Sequence, residues 1–460
     1  MGMTRQFEKP DYEGILKTTI QVGEALPEDH LARFVVHVIS VLDLGLIYGR
    51  YANVGGKAIA PEVLLGLLVY GYASGVFSSR RIERETYENL AFRFAAGGLH
   101  PDHDTIANFR KTFLGEIEGL FVQVLLLAQE VGVLKVGNIS LDGSKIHADA
   151  SKSKAVSYKR LLEIEERLRA EVHELMRLGE SADQGEVVLP GGLVIEDEIT
   201  RRQLRLENLA RAKAVLEARA KERYEAEQAE YEAKMREREE KAKHNQRRPG
   251  GKPPQPPQPG PRDKDQYNFT DPDSRIMKNS TDDGFDQHYN VQVAVDQASL
   301  LIVAQSLSNH PNDKGEAEPT LAALVPALGQ VTGAALDNGY FSPASIDACL
   351  ERGIEPYIAT GRQAHHQSGQ TWFAQADEPP FEDASAKVKM AFKLQTEPGH
   401  EIYRLRKCTV EPVIGIIKEI LGFRQFSLRG LIVAAGEWTL VCLAFNLKRL
   451  HVLYPEATAA

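Results

Sequence analysis

Three carboxylates stand where a fold could hold them rigidly. Asn138-Ile139-Ser140-Leu141-Asp142 and Val331-Thr332-Gly333-Ala334-Ala335-Leu336-Asp337 are short apolar runs that each end in an aspartate, with Gly143 and Gly339 close behind. A strand ending in Asp fixes its carboxylate at a sheet edge. Glu411 precedes Pro412, which places it in the first turn of a helix running through Lys418. Three such groups in one site repel one another unless cations are present. An oxygen-only donor set suits Mg2+ or Mn2+. Two such ions can activate an attacking oxygen and stabilise a leaving oxygen on phosphorus. Spacing alone does not single out this trio, because 64 Asp and Glu residues offer many chance sets. Asp296 reads as the cap of a hairpin turn, Trp438 as core packing, and His147, Asp149 and Asp313 as weaker candidates.

The elements that must position these groups divide the 460 residues into four regions. Residues 1–130 read as a helical domain. Leu31, Phe34, Val35, Val38 and Ile39 recur at helical spacing, Pro61 opens a helix, and Ser79 is a candidate cap for the next. Asp102 or Asp104 can cap a helix whose exposed face would carry Asn108, Arg110 and Lys111, a candidate DNA-docking face. Residues 131–155 begin an α/β unit. Gly143 reads as a turn and Lys145–Asp149 as a second short strand, which leaves open where an insertion interrupts the sheet. Residues 156–266 are rich in helix formers and charge, broken near Gly179 and at Pro190-Gly191-Gly192, and end in a Pro-rich linker. They read as an antiparallel helical hairpin or partial coiled coil. From 267 to 460 α/β composition returns. A hairpin spans 289–296 and 300–305, helices follow at about 315–330 and after Ser342, a strand covers 354–359, and apolar helices cover about 408–421 and 431–449.

Composition sets limits. A net charge of −9 excludes a uniformly basic, histone-like chain but not local nucleic-acid contact. Cys349, Cys408 and Cys442 match no zinc spacing and fit a reducing compartment. No secretion signal and no uninterrupted apolar run of bilayer length is visible, so the expectation is a soluble, cytoplasmic protein without a membrane partner.

The segment Tyr403-Arg404-Leu405-Arg406-Lys407-Cys408-Thr409-Val410-Glu411-Pro412-Val413-Ile414-Gly415-Ile416-Ile417-Lys418 resembles the final-glutamate signature of DDE transposases from bacterial insertion sequences. Gly422–Gly430 and Glu437–Leu450 are similar to the same family. Leu141-Asp142-Gly143-Ser144-Lys145 resembles its first-aspartate motif, and Leu336-Asp337-Asn338-Gly339-Tyr340-Phe341-Ser342 its second. Residues from about Phe34 to Phe113 look like the helical domain that precedes the catalytic core. The resemblance covers about 30–150 and 265–450.

It implies an RNase-H-like core, a mixed five-stranded sheet flanked by helices, with strands at 138–142, 289–295 and 300–306 and the Asp337 strand fourth. It implies Asp142, Asp337 and Glu411 as catalytic metal ligands, with two Mg2+ (or Mn2+) ions. The implied partners are double-stranded DNA (terminal inverted repeats and target) and a second copy of the chain, in a bacterial, nucleoid-associated setting. The implied reaction is cleavage at transposon ends and strand transfer. A metal-dependent nuclease without strand transfer and a catalytically inactive DNA-binding protein are the alternatives.

In that reading Arg406, Lys407, Lys418, Arg424 and Arg429 contact DNA phosphates. Eight Lys/Arg against four Asp/Glu between 401 and 451 make this region locally basic. Relatives often place a Tyr and an Arg at fixed offsets before the glutamate. Those offsets fall on Arg404 and Lys407, one position away from Tyr403 and Arg406.

Overall fold

The structure is a computed structural model that describes residues 22–51, 58–184, 194–244, 252–279, 284–361, 381 and 383–454. Its centre is a mixed sheet of β1 (Asn138–His147), β4 (Arg275–Lys278), β5 (Phe285–Asp296), β6 (Ile302–Ser308), β7 (Gly333–Leu336) and β8 (Glu355–Ile358). β5 lies antiparallel to β1, and β7 and β8 run parallel to it, so the order is β5-β1-β7-β8. β6 and β4 pair with different halves of the far edge of β5. The sheet thus has five positions, with one edge shared by two strands. Helices flank it, an all-helical region precedes it, and a long helical hairpin interrupts it, which is the RNase-H-like arrangement that the sequence resemblance implied.

β1 is one unbroken strand from Asn138 to His147, not two short strands around a turn at Gly143. Its glycine is explained by a neighbour: a Cβ at Gly143 would lie 2.3 Å from Gln292 Nε2 on β5. The insertion therefore falls between the first and second core strands, β1 and β5. The expected hairpin is present as β5 and β6, and Asp296 caps its turn by accepting from the Ser299 N–H (2.8 Å) and Oγ (2.7 Å). The expected helix at 315–330 shortens to Ala317–Ala322, followed by a tight turn at Pro326–Leu328.

The N-terminal helices Leu31–Val41, Pro61–Ala73, Ser79–Glu88, His103–Thr112 and Leu114–Glu130 follow the apolar spacing closely. Asp102 is the cap of the fourth, accepting from the Thr105 N–H at 2.8 Å. Ser78, not Ser79, precedes the third and makes no side-chain cap bond. Their apolar residues form one continuous core with the sheet and with the last helix, Leu431–Leu453. That last helix is long and apolar enough to cross a membrane, but most of it is buried inside the protein.

The insertion starts with β2 (Ala155–Ser157), which pairs with β3 (Gln266–Asn268) and closes the base of the hairpin. Its arms are Tyr158–Asp183 and Ile195–His244. The first passes through Gly179 without breaking. The Pro190-Gly191-Gly192 break lies outside the described residues. Leu161, Ile164 and Leu168 pack on Leu209, Ala212 and Leu216 in a core of their own.

Candidate active site

β1 and β7 bring the two aspartates together. Their parallel register ends at the pair Leu141–Leu336, so Asp142 and Asp337 follow at the same level on adjacent strands. Asp142 Oδ1 accepts from the Gly143 N–H at 2.8 Å. Asp337 Oδ1 accepts from the Gly339 N–H at 2.6 Å, which fixes the tight turn Asn338–Tyr340. Burial drives the Asp142 carboxyl up to about 6; Arg406 opposes that rise and the Asp337 charge adds to it.

Glu411 arrives on the helix Glu397–Gly415. It lies well inside that helix, not in its first turn, because Thr396 caps the N-terminus and Pro412 is accommodated within. The helix is pinned to β1 by Thr409 Oγ1, 2.7 Å from Ser140 Oγ, and by Gln297 Nε2, which donates to Ser140 Oγ and to the Ile402 carbonyl (both 3.0 Å). The Glu411 side chain is 51% exposed.

Arg406 joins the carboxylates. Its Nη1 donates to Asp142 Oδ2 at 2.8 Å and its Nη2 to Glu411 Oε1 at 3.4 Å, while Asp337 also acts on its charge. The guanidinium is nearly enclosed, and its Nε has no hydrogen-bond partner. Burial works to lower its pKa, but Asp142, Tyr403, Asp337 and Glu411 together raise it. Tyr403 is buried against Arg406. The side chain that bonds the carboxylates is thus Arg406, with Tyr403 packed behind it, one position before the offsets Arg404 and Lys407.

The donor chemistry of Asp142 and Asp337, hard carboxylate oxygens side by side, fits Mg2+ or Mn2+. The third carboxylate is held through Arg406, and among the described residues no group of three His, Cys, Asp or Glu stands ready to hold a metal ion.

A second set of polar groups backs the aspartates. The Tyr340 hydroxyl donates to Gln292 Oε1. Gln292 Nε2 donates to Asp313 Oδ1 at 2.9 Å, and Asn290 Nδ2 donates to the same oxygen at 2.8 Å. A Cβ placed on Gly339 would lie 2.9 Å from Asp337 Oδ1 and 3.6 Å from Asp313 Oδ2, so Asp313 borders the site. Asn290, Gln292 and Tyr340 escaped the sequence reading. On an alternating strand, Asn290 and Gln292 look like ordinary outward-facing polar residues. Only the pairing of β5 with β1 reveals that Gln292 crosses over Gly143.

The other candidates scatter. Arg110 is buried, not on an exposed face: its Nη1 donates to the Tyr72 hydroxyl (2.8 Å) and the Phe77 carbonyl (3.0 Å). That corrects its expected place, because the helix turns Arg110 toward Glu437 and leaves Lys111 outward. Lys407 is exposed beside the site. Lys418 Nζ donates to Ser144 Oγ (3.1 Å) and the Lys145 carbonyl (3.4 Å), and it sits within the π-type turn Ile416–Ile420 that directly continues the Glu411 helix. Burial lowers its pKa. Arg424 pairs with Glu419, and Arg429 Nε donates to Asp149 Oδ2 at 2.8 Å. The His147 ring lies against His288 on the neighbouring strand, with centroids 4.3 Å apart. Trp438 is core, as expected.

Comparison with known families gives two matches. Residues 21–112 match a family model described as a transposase domain, and residues 375–451 match one described as a transposase DDE domain. The second contains Arg406, Glu411 and Lys418, whereas Asp142 and Asp337 lie outside both. Together the matches support a transposase assignment. No curated protein and no solved structure matches the chain.

Proposed function

We propose that the chain is a DDE transposase that cuts DNA at transposon ends and joins them to target DNA. The observation that carries this reading is the side-by-side placement of Asp142 and Asp337 on the two central parallel strands, with Glu411 tied to Asp142 through Arg406. The transposase DDE domain match, which contains Glu411, supports it.

Asp142, Asp337 and Glu411 would hold Mg2+ or Mn2+, ions that supply a Lewis acid for the attacking and leaving oxygens on phosphorus. In the first step water attacks a terminal phosphodiester, the bond to the 3′-oxygen breaks, and that oxygen leaves as a hydroxyl. In the second the freed 3′-hydroxyl attacks a target phosphodiester, the target bond to its own 3′-oxygen breaks, and that oxygen leaves as a hydroxyl. The strands and the Gln292–Tyr340 pair hold the two aspartates in fixed relation, so little reorganisation is needed as charge develops. Arg406 neutralises the carboxylates from a nearly enclosed position. Lys407 and Lys111 offer exposed phosphate contacts on opposite parts of the chain. The helical N-terminal region (1–130) reads as a DNA-docking unit, with the core at 131–155 and 267–460. The hairpin (156–266) is suited to bringing two protomers, and hence two ends, together.

Incubation with a labelled transposon end, a target plasmid and Mg2+ tests the reading. The expected result is metal-dependent cleavage and a joined product, both lost in Asp142→Asn and Glu411→Gln. Cut ends without joined product would leave only a nuclease, and metal-independent or absent cleavage overturns the proposal. If a chain lacking 160–260 still pairs two ends in a gel-shift assay, the role given to the hairpin fails.

A further inference from the structure

A sizeable cleft lies apart from the carboxylates. It holds about 630 Å³ and lies where the second arm of the hairpin meets the edge of the sheet at β4. Arg219 and Arg223 come from the arm, Lys264 from its return, Arg275 from β4 and His310 from the loop after β6.

Two of these guanidinium groups are forced together. Arg219 Nη2 donates to the Pro272 carbonyl at 2.6 Å, and Arg275 Nη1 donates to the same oxygen at 3.0 Å. The carboxylate nearest Arg219 is Asp273, at 3.9 Å. Arg219 Nη1 is enclosed with no hydrogen-bond partner. Of the two acidic residues on the wall, Asp265 is taken by Arg223 at 2.8 Å, which leaves Glu222. Burial, then the neighbouring Arg219 charge, brings the Arg275 guanidinium down to about 10. Burial likewise lowers that of Arg219. Like charges held this close, with one donor unmatched, mark a place where a bound anion relieves both the repulsion and the missing bond.

The cleft is one loop away from the proposed catalytic carboxylates. Asn309, His310 and Pro311 line it, and Asp313, two residues on, borders the aspartates. Between the two lies a small hollow lined by Lys145, Lys278 and Asn290. A DNA strand held at the carboxylates and crossing this hollow would run toward the arginine pair.

We propose that the cleft between hairpin and sheet is a phosphate-binding site, and that its occupant is a backbone phosphate of the DNA held at the catalytic carboxylates. The choice of DNA rests on the function proposed above; the phosphate chemistry does not. The hairpin then acts in cis as a second DNA clamp, which places Arg219 and Lys264 among the groups that set affinity.

The test is fluorescence anisotropy of a labelled duplex across a salt series, on full-length chain carrying Arg219→Gln and Lys264→Gln. Arg275 is left in place because its carbonyl bonds shape the Pro272–Ser274 turn. Lys264→Glu alone, at an exposed turn, is a second variant that leaves the fold untouched. The double variant is expected to bind about tenfold more weakly at physiological salt, and to lose about one unit of the slope of log K against log salt for each phosphate contact removed. Lys264→Glu should shift binding in the same direction. Thermal stabilisation by inorganic phosphate or pyrophosphate is measured on the same proteins. If that stabilisation is lost while DNA binding is unchanged, the site takes free phosphate and the DNA assignment falls. If neither changes, the site itself is refuted. Metal-dependent cleavage by the unmodified chain, measured alongside, judges the transposase reading separately.

Discussion

Tyr72, on the N-terminal helix Pro61–Ala73, donates its hydroxyl to Glu437, on the last helix, at 2.8 Å in a fully enclosed interior. Arg110 approaches from a third helix, and the other Glu437 oxygen accepts the Ser427 and Leu428 N–H groups at 2.9 and 3.0 Å. One buried carboxylate thus ties the helical region to the turn that follows the Glu411 helix. Glu437→Ala should cost about 3–5 kcal/mol, because it strands a buried guanidinium and two N–H donors. Tyr72→Phe should cost about 1 kcal/mol. Melting temperatures of the two variants check the ranking, and an equal, small effect would contradict it.

Gly143 and Gln292 make a second testable pair. Gly143→Ala must push Gln292 off its bonds to Tyr340 and Asp313, at a cost of about 1–3 kcal/mol. Gln292→Ala in the same chain should recover stability but not cleavage, because the tie to Tyr340 stays broken. Recovery of both would mean that the Gln292 bonds are irrelevant to the site.

Arg406 holds together groups that otherwise repel. Arg406→Ala leaves Asp142 and Asp337 adjacent without a cation, with an expected loss of about 3 kcal/mol in chelator-treated protein. Added Mg2+ should restore part of the lost melting temperature, and more than it adds to the unmodified chain. Equal Mg2+ shifts in both proteins would argue against a cation site at these carboxylates.

His288 gives a pH dependence. Burial first, opposed by its bond to the Asp286 carbonyl and aided by His147 opposite, lowers its pKa from 6.5 to about 4; Asp286 raises it and Lys145 lowers it further. The unfolded chain therefore binds a proton that the folded chain refuses between these values. Stability should be complete above pH 6.5 and fall as the pH drops toward 4, by up to about 3 kcal/mol from this group. Urea midpoints across that range should flatten in His288→Gln. An unchanged slope would assign the acid sensitivity elsewhere.

The sheet was legible because its strands are short, apolar and closed by turn residues. Asp142 and Asp337 could be placed at one level once the strand order was inferred. Gly143 misled, because a glycine inside a strand serves a side chain crossing from β5, a contact 149 residues away in the chain. Pro412 misled in a similar way. It marks helix starts in general, yet here Thr396-Glu397-Pro398 supplies the real start and Pro412 lies inside the helix on its exposed face. Arg110 was misplaced because helical phase on a ten-residue segment does not say which neighbours lie beside it. The meeting of Arg219 with Arg275 was beyond reach, since it depends on how the insertion folds back on the sheet.

The hairpin keeps its apolar residues in a small cluster separate from the main core. Its arms can therefore gain or lose whole turns at the far end without disturbing a single side chain around β1 or β5. Reach and chemistry are set by different parts of the molecule. On the proposed function, such changes would alter the span between bound ends while leaving the carboxylates alone.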